Sequence, residues 1–177
     1  MKTRILTIAP YQGLKEMINE AISDRDDLEM TIRIGDLANG LEIVRSYDLD
    51  DFDIIISRGG TAKMISANIT IPVVEIEISV YDILRAIKLA ENYSNRFAII
   101  GYPAITNCAK MLCNLLQYDI EIITLDENSE PHQQMEHLKN QGYEMVLCDM
   151  VGTSIARELG MNFILITSGK ESVEAAL

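Results

Sequence analysis

The stretch that decides the fold is Asp53-Ile54-Ile55-Ile56-Ser57-Arg58-Gly59-Gly60-Thr61. Three consecutive isoleucines make an extended segment apolar on both faces, as in a parallel strand covered by helices on each side. Arg58-Gly59-Gly60-Thr61 then turns the chain into a helical run. The same plan returns as Glu144-Met145-Val146-Leu147-Cys148, then Asp149-Met150-Val151-Gly152-Thr153 and a helix. The two Gly-Thr pairs are 152 − 60 = 92 residues apart.

Working outward, strands are expected at 4–9, 28–34, 53–57, 72–76, 96–101, 119–124, 144–148 and 162–166. Their starts pair as 96 − 4 = 92, 119 − 28 = 91, 144 − 53 = 91 and 162 − 72 = 90. Between them, Leu14, Met17, Ile18, Ala21 and Ile22 form one stripe at helical spacing. Val80, Ile83, Leu84 and Ile87 form a second, and Leu112, Leu115 and Leu116 belong to a third. Gly142 and Gly160 stand where helices should stop. Ser79…Asp82 and Ser168…Glu171 each fit a helix-capping pattern after the last strand of a half.

Alternating strands and helices imply right-handed crossovers and parallel sheets. The expected fold is therefore α/β: two flavodoxin-like, Rossmann-like lobes, each a four-stranded parallel sheet in the order 2-1-3-4. They would face each other across a cleft, as in periplasmic binding proteins. The polar run Asn92-Tyr93-Ser94-Asn95 is the expected boundary. Residues 1–92, with connector helix 79–92, would form the first lobe and 93–177 the second. The final helix, 170–177, could return to the first lobe; the sequence leaves open which lobe it packs on.

With 177 residues and 48% hydrophobic content, the chain can bury a real core. It contains no apolar run of about 18 residues, and its first residues lack a signal-peptide pattern, so no membrane is expected and the cytoplasm is the expected location. Net charge is 15 − 27 = −12, which repels phosphate and argues against direct nucleic acid binding. Cys108, Cys113 and Cys148 include no CxxC pair. His132 and His137 lie in a polar helical stretch without a neighbouring cysteine, so no metal is expected.

In open parallel sheets ligands sit beyond the C-terminal strand ends. That singles out Ser57, Arg58, Gly59, Gly60 and Thr61, where backbone N–H groups, a helix start and a guanidinium suit an anion. Tyr102, Pro103 and Thr106 follow the fifth strand, and Pro10 and Tyr11 are their counterparts in the first half. Asp149, Gly152 and Thr153 follow the seventh strand; Asp149 could meet a ligand hydroxyl or cap the next helix. Ser168 is expected first as a cap and second as a ligand contact. Glu75 and Glu77 are expected at solvated edge positions.

Catalytic motifs fail. No G-x-G-x-x-G follows a strand, so no dinucleotide cofactor is expected. Around Gly169-Lys170 a phosphate-binding loop would need glycine at 164 and Ser or Thr at 171, which are Ile164 and Glu171. An aspartate/glutamate racemase-like enzyme, the alternative reading, needs a thiol from each lobe, and residues 1–107 contain none. The expectation is a non-enzyme with no catalytic residues and no cofactor.

The series Ser57-Arg58-Gly59-Gly60-Thr61-Ala62, Ile71-Pro72-Val73-Val74-Glu75-Ile76, Asp82-Ile83-Leu84 and Ser168-Gly169-Lys170-Glu171-Ser172 resembles the N-terminal sensory domain of the propionate-catabolism activators, sigma-54-dependent regulators of the NtrC class. The resemblance covers essentially the whole chain. It implies an effector-sensing domain that binds a small metabolite between its lobes and controls a downstream AAA+ ATPase and a DNA-binding domain, both absent from this sequence. It also implies a homodimer and a setting like that of two-component phosphorelays. The best-known effector of the family is 2-methylcitrate; for this chain the expectation stops at a small carboxylate facing Arg58.

Overall fold

The computed structural model describes residues 2–126 and 128–177. Among the described residues eight strands form two all-parallel sheets, β2-β1-β3-β4 and β6-β5-β7-β8. The strands are β1 Thr3–Ala9, β2 Leu28–Ile34, β3 Ile54–Arg58, β4 Val73–Ile76, β5 Phe97–Gly101, β6 Glu121–Thr124, β7 Met145–Cys148 and β8 Asn162–Leu165. Each sheet has the expected 2-1-3-4 order, and the duplication extends to the fold: β7 starts 145 − 54 = 91 residues after β3.

The helices are α1 Gln12–Ala21, α2 Leu37–Arg45, α3 Gly59–Ser66, α4 Val80–Ala90, α5 Pro103–Leu116, α6 Pro131–Asn140, α7 Met150–Glu158 and α8 Lys170–Ala176. Alternation along each strand sends side chains to opposite faces. Ile5 and Ala9 of β1 pack with Leu14 and Ile18 of α1 and Val173 of α8, while Leu6 and Ile8 pack with Val44 of α2 and Ile65 of α3. In the second sheet, Phe97 and Ile99 face Ile83, Ile87, Ile105 and Leu112 of α4 and α5. Ala98 and Ile100 face Met135, Leu138 and Ala156 of α6 and α7.

The chain divides into two compact units, Met1–Glu77 with Ser168–Leu177, and Ile78–Thr167. This differs from the expected boundary at 92/93. Helix α4, which follows β4 in sequence, packs on β7 and β8; α8, which follows β8, packs on α1 and β4. Each half thus covers its own sheet with three helices and gives its fourth to the other sheet. The polar loop 92–95 merely joins α4 to β5 within the second unit.

Helix ends follow local chemistry. Ser79 caps α4 in a complete capping box with Asp82. Gly142 and Gly160 adopt φ of 84° and 65° just past α6 and α7, conformations that glycine takes without Cβ strain. At the end of α5 a non-glycine residue, Gln117, takes the left-handed position at φ 56°.

Candidate functional site

The C-terminal edge of the first sheet carries the more open chemistry. Arg58 ends β3 and is also the residue before α3, in extended backbone, with no side-chain cap on that helix. Gly59 turns at φ 53°, and a Cβ placed there would meet nothing within 4 Å. The backbone at the start of α3 is therefore approachable, and its N–H groups carry the positive end of the helix dipole. Leu37, at the start of α2, also has a positive φ (41°) and donates its backbone N–H to Thr61 Oγ1 at 2.9 Å. A bulky residue in this conformation is strained.

Arg58 is nearly buried, at 7% exposure, and its guanidinium lies over the Tyr11 ring, 5.7 Å from the centroid. Its Nη1 donates to the Tyr11 hydroxyl at 3.4 Å, and the Ser168 backbone N–H donates to the same oxygen at 3.0 Å. Tyr11 thus accepts twice and keeps its own O–H to donate. The Ser168 hydroxyl is buried and, among the described residues, has no hydrogen-bond partner.

Ser168 corrects one expectation. The sequence pattern predicts it as the cap of the last helix, but the residue before α8 is Gly169, and among the described residues no side chain caps that helix. Its counterpart in the duplication is Ser79, with 168 − 79 = 89 matching the β8–β4 offset of 162 − 73 = 89. Ser79 uses its hydroxyl to hold the Asp82 N–H; Ser168 does not repeat that cap.

Several other expected site residues have their polar atoms engaged inside the protein. The Ser57 hydroxyl donates to the Ile8 carbonyl at 2.8 Å. Thr61 holds Leu37, and Thr153 donates to the Met150 carbonyl at 2.8 Å. Asp149 Oδ1 accepts from the Gly152 N–H at 2.9 Å and so caps α7. Gly152 is needed for close approach, since a Cβ there would lie 2.5 Å from the Cβ of Cys148.

In the second unit Tyr102 precedes α5, Pro103 opens it, and Thr106 is buried in its first turn. Two residues not foreseen join them. Lys110 donates to Thr124 Oγ1 at 2.8 Å, and Thr124 donates to Thr106 Oγ1 at 2.9 Å. The spacing of Thr106 and Lys110, four apart on one helix, was the available signal. Thr124 could be reached only through the pairing of β6 beside β5.

The duplicated turns differ in sign. Arg58 and Asp149 occupy matching positions, 149 − 58 = 91, before α3 and α7. The first turn adds a cation to an uncapped helix start, whereas the second neutralises its helix start with a carboxylate. An anion is favoured at the first and opposed at the second.

The thiols do not look reactive. Burial pushes the Cys148 thiol pKa far upward, and the neighbouring Asp149 charge adds to it. Burial also raises Cys113, and raises Cys108 with a smaller contribution from Asp82. His132 and His137 are exposed on α6. Among the described residues no cluster of His, Cys, Asp or Glu could hold a metal ion, and no helix is long and apolar enough to cross a membrane. A hollow of about 270 Å³ near Arg96, Asp119 and Tyr143 lies at the opposite, N-terminal strand ends of the second sheet.

Comparison with known proteins agrees with this architecture. The family model described as propionate catabolism activator matches residues 24–177. The crystal structure of an NtrC family transcriptional regulator from Clostridium acetobutylicum superposes with a TM-score of 0.81 at 22% identity, covering 99% of this chain and 93% of that one. The transcription regulator CcpA of Lactococcus lactis matches with a TM-score of 0.51 at 12% identity, over 99% of this chain and 89% of that one. At these identities the likenesses are of fold.

Proposed function

Because this chain belongs to the propionate catabolism activator family, as an N-terminal sensory domain of an NtrC-type regulator, we propose that it binds a small anionic metabolite, a carboxylate, at the C-terminal edge of its first sheet. The observation that carries this reading is the Tyr11–Arg58–Ser168 cluster beside the open start of α3. Arg58 and the Gly59–Gly60 amides would take the carboxylate. The Tyr11 O–H and the Ser168 hydroxyl would meet its remaining polar atoms. The contrast with Asp149, whose carboxylate stands at the start of α7, favours this unit for an anion.

Binding would be read out through the connections. The chain passes between the units at Glu77–Ile78 and Thr167–Ser168, and Ser168 belongs to the proposed site. A ligand held by Ser168 acts on the return crossing itself. It would shift the population of arrangements of the two units, as in lobe closure, and so control a downstream AAA+ ATPase. No cofactor and no bond-making chemistry are required.

The test is a thermal-shift screen of the chain against small carboxylates, followed by calorimetry on any hit. Arg58→Ala should abolish the shift and Ser168→Ala should weaken binding about tenfold, the value of one buried hydrogen bond to a charged ligand. A hit that binds Arg58→Ala unchanged would remove the anion from this edge.

A further inference from the structure

We propose that the hollow at the N-terminal strand ends of the second sheet binds a basic amino acid, a small molecule with one carboxylate and two cationic nitrogen groups. The central strand β5 has β6 on one side and β7 on the other. Arg96 stands just before β5, Asp119 and Glu121 stand at the start of β6, and Tyr143 stands just before β7. All four line the hollow of about 270 Å³. A water takes about 30 Å³ of the liquid, so the hollow has room for about nine non-hydrogen atoms, the size of a free amino acid.

The charges that line it do not neutralise one another. The Arg96 guanidinium lies over the Tyr143 ring, 4.5 Å from the centroid, and so leans to the β7 side. The turn at Gly142 flanks it, since a Cβ there would stand 3.5 Å from Arg96 Nη1. Seated there, the cation does not reach the carboxylates of β6. Among the described residues Arg96, Asp119 and Glu121 form no ion pair, and their charged groups make no hydrogen bond. One cation and two carboxylates thus share a hollow with their pairing capacity open to a guest.

That pattern selects the guest. A metal cation would meet the guanidinium, and an isolated anion would meet both carboxylates. A diamine satisfies the carboxylates but leaves Arg96 without a partner. A basic amino acid answers all three groups: its carboxylate takes the forked guanidinium, and its two cationic groups reach Asp119 and Glu121. Its net positive charge is drawn to a protein of net charge −12. Stacking on Tyr143 orders Arg96 before the guest arrives, which lowers the cost of binding. The three charged side chains are exposed, so solvent screens the pairs and the binding is weak. This inference does not depend on the carboxylate reading at Arg58.

Titration of the whole chain with L-lysine to about 10 mM at constant ionic strength, followed by NMR of the backbone amides, tests it. Saturating shifts should cluster at 95–97, 119–121 and 143. L-lysine methyl ester, which keeps the cationic groups and lacks the carboxylate, should bind about tenfold more weakly because Arg96 loses its partner. Asp119→Asn combined with Glu121→Gln should weaken lysine binding about tenfold or more, with the fold intact by circular dichroism. Asp24→Asn combined with Asp26→Asn removes the same charge from exposed positions of the first unit and should leave binding unchanged. No saturation by about 10 mM, shifts centred elsewhere, an ester that binds as tightly as lysine, or equal weakening by both double variants would each overturn the proposal.

Discussion

The hydroxyl of Tyr11 accepts the backbone N–H of Ser168 at 3.0 Å across 157 residues of sequence. It ties the start of the first helix to the segment by which the chain re-enters the first unit. Tyr11→Phe keeps the ring under Arg58 but leaves the Ser168 N–H without its acceptor. The expected cost is about 1–2 kcal/mol of stability, read as a lower denaturant midpoint with an unchanged slope. No change in midpoint would mean that water replaces the phenol without loss.

The two site glycines should respond differently to alanine. At Gly59 the added methyl has room, so Gly59→Ala should cost only the left-handed backbone strain, about 1–2 kcal/mol. At Gly152 the methyl would run into the Cys148 side chain 2.5 Å away, inside the core. Gly152→Ala should cost more, about 3 kcal/mol or above, or prevent folding. Chemical denaturation of both variants checks the order; a reversed order would contradict the turn geometry.

Acid stability should depend on Asp53 more than on Asp27. Arg25 holds the Asp27 pKa at about 2, but the two residues are two apart, so much of that pairing persists in the unfolded chain. Asp53 is lowered by its hydrogen bonds to Arg4, 49 residues away, and that pairing requires the fold. A lowered carboxylate pKa contributes stability above the unfolded value, near 3.8, and that contribution is lost as pH falls through the folded value. Asp53→Asn should flatten the fall in stability below about pH 4, and high salt should shrink the difference because the pair is exposed. Melting curves from pH 2.5 to 7 would show it; parallel wild-type and variant curves would refute it.

Thiol labelling should follow burial. In the native protein at mild alkaline pH, Cys108 should react first because it alone is partly exposed. Cys113 and Cys148 should react only as the protein opens or unfolds. Timed alkylation with peptide mass analysis reports the order. Rapid native labelling of Cys148 would instead reveal an activated thiol and reopen an enzymatic role.

The strands were readable because their signal is local. Ile54-Ile55-Ile56 and Phe163-Ile164-Leu165 are apolar on both faces, and spacing alone exposes the duplication. The exchange of α4 and α8 was not readable. An amphipathic stripe such as Ile83, Ala86, Ile87 and Ala90 states that a helix has a buried face but not which sheet it covers. The crossing at Glu77–Ile78 carries no glycine or proline, whereas 92–95 looks like a linker and is an ordinary loop. Arg58 and its glycines stood out by chemistry, while their connection to Tyr11 and Ser168 is a tertiary contact with no sequence pattern. Ser168…Glu171 fits the capping pattern as well as Ser79…Asp82 does; the backbone at Gly169 moves the helix start one residue on.

The first unit is discontinuous, because α8 completes it from the far end of the chain. On the ribosome, all residues of the second unit are available before Val173 can cover the face formed by Ile5, Ile32 and Ile56. Until then α1 covers that face over β1 and β2, and the part over β4 stays open. Deleting the terminal ten residues would therefore harm the part of the protein made first, while the part made just before them would keep its full set of helices.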